Sequence, residues 1–216
     1  MVEMAALRDP FETTKHARRV GAYSQELWNA WAHEKGLDQH KIKQQQDLLL
    51  NAAILHDVGK VALSDVILRK RGSLIPEEIE QVRSHTIHGA RLFFRRNHHP
   101  SPWDRMAAEV ALNHHERWDG MGYPGRIENL HAHTIRFGPG KKAHEIPLSG
   151  RIVALADVYD ALLSERSYKE RWRDTQAISY IRQQAGRHFD PELVQIFLRL
   201  HDQEDSVFKK IQRQYV

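Results

Sequence analysis

Apolar side chains recur along this chain with a helical rather than an alternating period. From about Phe11 to Lys35 they fall at Val20, Tyr23, Leu27 and Trp31, the spacing of a helix with one buried face, and Gly36 supplies its stop. Between Gln44 and Asp57 the run Leu48, Leu49, Leu50, Ala52, Ala53, Ile54 and Leu55 predicts a helix buried on every side, with His56 and Asp57 at its inner end. Pro76, Glu77 and Glu78 read as a helix start, with proline in the first position and acids against the positive end of the dipole. Ile79, Val82, Gly89 and Phe93 mark the inner face of that helix. Ser101-Pro102-Trp103-Asp104 forms a capping-box pattern, opening a helix whose apolar residues Ala107, Val110 and Ala111 lead to His114 and His115. Another core helix runs from Leu148 to Ser164 through Ile152, Val153, Leu155, Tyr159 and Leu162, with Asp157 in its middle. Asp174 and Asp190-Pro191 start two more, and Gly186 ends the first of these. Strand alternation is missing, so the expected class is all-α.

The polar stretch from Arg126 to Glu145, containing Gly138-Pro139-Gly140, reads as a long loop. At 216 residues the chain suits one compact core, so a single domain over 1–216 without a separate sensory domain is expected. With 32 basic and 28 acidic residues, the net charge of +4 favours an anionic ligand without calling for a nucleic-acid polymer. No apolar run is long enough for a membrane span and no signal-peptide core opens the chain, so a cytoplasmic protein is expected. Cysteine is absent, which excludes thiolate metal sites and leaves nitrogen and oxygen donors.

Those donors sit at revealing places. Glu12 and His16 are four apart and share a helix face, although such pairs are common on solvated helices. His56-Asp57 follows an apolar run, where a charged pair must be metal-bound or fully hydrogen-bonded. His85 borders the buried stripe of its helix, and two adjacent inward histidines, His114 and His115, are costly unless coordinated. Asp157 among aliphatic neighbours needs a cation partner. Five histidines and three carboxylates exceed what one ion uses. Two ions about 3.5–4 Å apart would share a bridging water and aim it at phosphorus, a hydrolase arrangement. The all-nitrogen-and-oxygen set fits iron or manganese, and also nickel, cobalt or zinc.

The run His114-His115-Glu116-Arg117-Trp118-Asp119-Gly120-Met121-Gly122-Tyr123-Pro124, with His56-Asp57-Val58-Gly59-Lys60 upstream, resembles the HD-GYP family of metal-dependent cyclic di-GMP phosphodiesterases. The resemblance extends from Glu12 to Phe189-Asp190-Pro191. It implies a compact single-domain bundle of the HD-superfamily type, with about seven or eight helices. It also implies two or three divalent ions, iron or manganese, held by His56, Asp57, His85, His114, His115 and Asp157, with Glu12 and His16 as the additional ligands of three-metal members. Asp57 and Lys60 are the implied catalytic residues; Lys60, Tyr123, Arg166 and Lys169 are the implied contacts to substrate, and Asp160 is a candidate support behind the ligands. The implied reaction is hydrolysis of cyclic di-GMP to pGpG or GMP by a metal-activated bridging hydroxide. Alternatives are another cyclic dinucleotide, such as cyclic GMP-AMP, or a non-catalytic sensing module. GGDEF-type diguanylate cyclases are the implied protein partners. The loop 126–145 is longer than the family pattern, as a lid or an extra pocket wall would be.

Overall fold

A computed structural model describes residues 14–70, 72–94, 99–164, 171–202 and 206–215. Every regular element among them is helical: α1 Thr14–Glu34, α2 Gln39–Ile54, α3 Asp65–Leu68, α4 Pro76–Arg83, α5 His85–Phe93, α6 Pro102–Asn113, α7 Leu148–Leu163, α8 Asp174–Gln183, α9 Pro191–His201 and α10 Val207–Gln214. Short 3-10 turns at Val58–Ala62 and Ala143–Glu145 complete them. These ten α-helices exceed the expected seven or eight. Three features account for the difference: the one-turn α3, the C-terminal α10, and a break at Ser84 that divides the helix opened by Pro76 into α4 and α5.

The core forms where the predicted stripes meet. α1 packs along α2 and α7, and α6 packs on α2, α5 and α7. Val20, Tyr23 and Leu27 of α1 are fully buried, as are Ile152, Val153, Leu155 and Tyr159 of α7. Burying a side chain of this size contributes about 1.5–3 kcal/mol, which is why these stripes decide how the helices assemble. Tyr23 stacks on Phe208 at 5.1 Å, while Tyr159 sits edge-on to Tyr23 and Phe197. Thus α10, whose apolar residues are too few to show a long stripe, is fastened by Phe208.

Caps behave as their chemistry predicts. Ser101 Oγ accepts the amide of Asp104, and Asp104 accepts the amide of Ser101, closing the capping box. Asp190 accepts the amide of Glu192 at the start of α9, and Gly36 leaves α1 with φ +67°.

Two expectations need correction. α2 begins five residues earlier than Gln44, at Gln39, because Asp38 caps it by accepting the amides of His40 and Lys41. It also ends at Ile54 and keeps a wet side, with Asp47 and Asn51 exposed, so His56 and Asp57 lie in the turn beyond it. Ile79 is exposed rather than internal: α4 buries none of its residues, and beyond the break at Ser84 α5 carries the buried face.

Candidate metal centre

The turn after α2 brings Asp57 against α5 by direct backbone contact. A Cβ added to Gly59 would lie 1.9 Å from the carbonyl oxygen of His85 and 2.4 Å from the amide nitrogen of Gly89, so only glycine lets the 3-10 turn lie this close. The result is a 2.9 Å approach of His85 Nε2 to Asp57 Oδ1. The end of α6 adds His114, whose Nε2 lies 3.5 Å from the same oxygen and 3.4 Å from His85 Nε2. His115 completes a group with Asp57, His85 and His114 whose donor atoms all fall within 4.8 Å of one another.

A second such group comprises His16, His56 and Asp157. His16 Nε2 lies 3.3 Å from Asp157 Oδ1, and His56 Nε2 lies 3.8 Å from it. His56 Nε2 is also 3.5 Å from Asp57 Oδ2, so this imidazole stands between the two groups. Six residues spread across the chain thereby converge with His16 on one interior volume. Glu12, Arg166 and Lys169 lie outside the described residues.

Proton positions test whether this arrangement suits a cation. His56 Nδ1 donates to the Ala53 carbonyl at 2.7 Å, His85 Nδ1 to Val82 at 2.6 Å, and His114 Nδ1 to the Val110 and Ala111 carbonyls at 3.1 Å. A carbonyl can only accept, so each Nδ1 carries its proton, and in the neutral ring Nε2 presents a lone pair. Burial, first of all, and then neighbouring imidazoles push His114 down and His115 well down from the ordinary histidine value, keeping both neutral near pH 7. The Nε2 atoms of His85 and His114 therefore face each other and the Asp57 carboxylate. With Nδ1 occupied in both rings, two Nε2 atoms and a carboxylate oxygen converge as a nitrogen-and-oxygen donor set, and the residues fit divalent ions.

The acids are held ionised for that role. Burial opposes the charge on Asp57, but Lys60, whose Nζ lies 2.8 Å from Oδ2, pulls the carboxyl well below the usual range. Asp157 is likewise held low: burial works against it, and the hydrogen bond from His16 prevails.

Behind the candidate ligands stands a supporting layer. His16 Nδ1 donates to Asp160 Oδ2 at 2.7 Å, and Arg19 donates to both oxygens of Asp160 at 2.6 and 2.9 Å. Asp160 thereby joins His16 to Arg19 behind the candidate ligands. Arg19 was not singled out from the sequence, although its place three residues after His16 is a signal for the same helix face.

Glu116 also escaped notice. Its buried carboxylate accepts the amides of Gly125 at 2.6 Å and Lys141 at 3.1 Å, joining the turn after α6 to the far end of the long loop. Arg91 fastens the loop elsewhere, donating to the carbonyls of Leu130 and Ala132. The loop 126–145 is therefore stitched to the scaffold, which argues against a hinged lid. His131, His133 and His144 join no candidate metal group among the described residues. Within the turn, a Cβ on Gly122 would meet the amide nitrogen of Arg117 at 2.3 Å, so glycine is needed to fold it tightly. That fold lays the Tyr123 ring on His115 at 4.8 Å, nearly parallel.

The sequence profile of the HD domain matches residues 13–162, and a second HD domain profile matches 137–193. The chain is 39% identical over 192 residues to 3'3'-cGAMP-specific phosphodiesterase 2 of Vibrio cholerae, covering 89% of this chain and 32% of the relative. It is 39% identical over 199 residues to a cyclic di-GMP phosphodiesterase of Thermotoga maritima, covering 92% and 47% respectively. The chain thus spans about a third to a half of these relatives. Among solved structures, the HD domain of Listeria monocytogenes phosphodiesterase PgpH superposes with a TM-score of 0.53 at 15% identity, covering 100% of this chain and 98% of that one, a likeness of fold. Among the described residues no helix is long and apolar enough to cross a membrane. With the profile matched across most of its length and the His-His-to-Gly-Tyr-Pro turn in place beside the histidine–aspartate cluster, the chain belongs to the HD domain family, in its HD-GYP branch.

Proposed function

We propose that this protein is a metal-dependent phosphodiesterase that hydrolyses a cyclic dinucleotide, cyclic di-GMP before others, to pGpG or GMP. The observation that carries this reading is the meeting of imidazole Nε2 atoms from His85 and His114 with Asp57 Oδ1, while each Nδ1 is committed to a backbone carbonyl. Cyclic dinucleotide phosphodiesterases among the relatives support the substrate class.

His56, Asp57, His85, His114, His115 and Asp157 would hold two ions, with His16 and Glu12 serving a third. Iron or manganese suits the donor set. When bound, such ions activate water and neutralise phosphate oxygens. Asp57 faces both groups of donors and keeps its charge because Lys60 sits on its outer oxygen. From there the Lys60 ammonium is placed to meet a phosphate entering over the cluster, where charge grows during attack. Asp160 and Arg19 fix the ring of His16 and its tautomer. Tyr123, packed on His115, offers an aromatic wall to the nucleotide, and Arg166 and Lys169 supply further phosphate contacts.

Cyclic GMP-AMP is the second reading, favoured by the 39% identity to a phosphodiesterase named for it. Anaerobic incubation of iron- or manganese-loaded protein with each cyclic dinucleotide, with products resolved by chromatography, separates the two. Preferential conversion of cyclic di-GMP is expected. Lack of product from either, in protein shown to contain metal, would overturn the enzyme reading in favour of a binding or recruiting module for a diguanylate cyclase.

A further inference from the structure

Arg83 was not singled out from the sequence and has no part in the cluster. It ends α4, exposed, next to the break at Ser84, and its guanidinium carbon stands over the Tyr123 ring, 5.1 Å from the centroid. Tyr123 in turn stacks on His115, so a permanent cation stands one aromatic ring away from the candidate metal centre. No carboxylate engages that guanidinium among the described residues. Cations nearby behave differently: Arg117 is forked onto Asp119, and Lys60 is on Asp57. Contact with a ring face holds a guanidinium in place while leaving its N–H fork open to an anion.

A cyclic dinucleotide carries two phosphodiesters, of which only one is cleaved at a time. With the reacting phosphate over Asp57 and Lys60, the rest of the ring must extend from the cluster, and the Tyr123 wall borders it. We propose that Arg83 is a specificity-determining substrate contact, pairing its guanidinium with the second, non-reacting phosphodiester. Arg83 is the last residue of α4, immediately before the break at Ser84, and it stands there over Tyr123. This assignment rests on the cyclic dinucleotide reading given above.

The test compares Arg83→Ala and Arg83→Lys with the unaltered protein on two substrates: the preferred cyclic dinucleotide, and bis(p-nitrophenyl) phosphate, which has one phosphodiester and no second anion. A lost charge-assisted hydrogen bond corresponds to about tenfold or more. Arg83→Ala is expected to raise KM for the dinucleotide about tenfold more than KM for bis(p-nitrophenyl) phosphate, with kcat for the dinucleotide within about threefold. Arg83→Lys should recover part of the loss, since it keeps the charge and loses the fork. Equal effects on both substrates, or none on the dinucleotide, would overturn the assignment while leaving the phosphodiesterase intact. An unaltered protein that cleaves bis(p-nitrophenyl) phosphate but no cyclic dinucleotide would overturn the underlying reading, and this inference with it.

Discussion

Two histidine–aspartate meetings in this molecule have opposite characters. On the far side of α7, His201 Nε2 lies 3.1 Å from Asp174 Oδ1, which also accepts the Tyr159 hydroxyl at 3.1 Å. There a single imidazole meets a single carboxylate that is one-third exposed, and that carboxylate has the hydroxyl as a second partner. Around Asp57, by contrast, several imidazoles turn the same nitrogen toward one carboxylate, after backbone carbonyls have taken the other nitrogen. Proximity of histidine and aspartate therefore says little. What distinguishes a candidate metal centre is the convergence of several imidazole nitrogens on one carboxylate, each ring oriented by a second partner.

The largest expected effect comes from breaking the convergent site. Replacing His56 and Asp57 together by alanine should lower phosphodiester turnover by on the order of a thousandfold or more, because it removes charge stabilisation of several kcal/mol. Circular dichroism should show helical content largely retained, and metal analysis should show ions lost. Full activity in that variant would refute the proposed centre.

Next comes the layer behind the ligands. Asp160→Asn leaves Arg19 without its ionic partner and weakens the hold on His16 Nδ1. Metal affinity should fall roughly 10–100-fold, measured by competition with a chelator, while excess metal restores most of the turnover.

The far-side pair should respond in stability instead. His201→Ala empties a buried position and deprives Asp174 of one donor, costing about 1–3 kcal/mol. At about 2–4 °C per kcal/mol for a chain of this size, the thermal midpoint should drop measurably, with metal content unaltered. If metal content fell with it, the two regions would be less separate than their contacts indicate.

Acid titration is the gentlest probe. Burial, and after it the charge of Arg117, push His188 down to about 4 against the opposing charge of Asp119. Below its ordinary value of about 6.5 the unfolded chain binds a proton there that the folded chain does not. The contribution of His188 is thus complete above about 6.5 and is lost as pH falls from there towards 4. Thermal midpoints measured across that range should decline, and His188→Gln should remove part of the slope.

Much of the site was legible because its residue types are expensive where they stand. The helical stripe of α1, the apolar run before His56 and the aliphatic surroundings of Asp157 each make a polar residue conspicuous without any coordinates. Glu116 and Arg83 were illegible for the opposite reason. A glutamate after two histidines and an arginine at a helix end are ordinary in composition. Their roles depend on partners nine, twenty-five and forty residues away.

From its sequence alone this protein is determined to be helical, free of thiolate chemistry, and equipped with histidines and aspartates at positions that demand a cation. Periodicity and caps are local, so they can be read in one dimension. Tertiary structure alone decided that Gly59 would press the Asp57 turn onto α5, that the chain would break at Ser84, and that the long loop would be tied down by Glu116 and Arg91. Those outcomes depend on close backbone approach and on hydrogen bonds between distant segments, for which neighbouring residues carry no periodic signal.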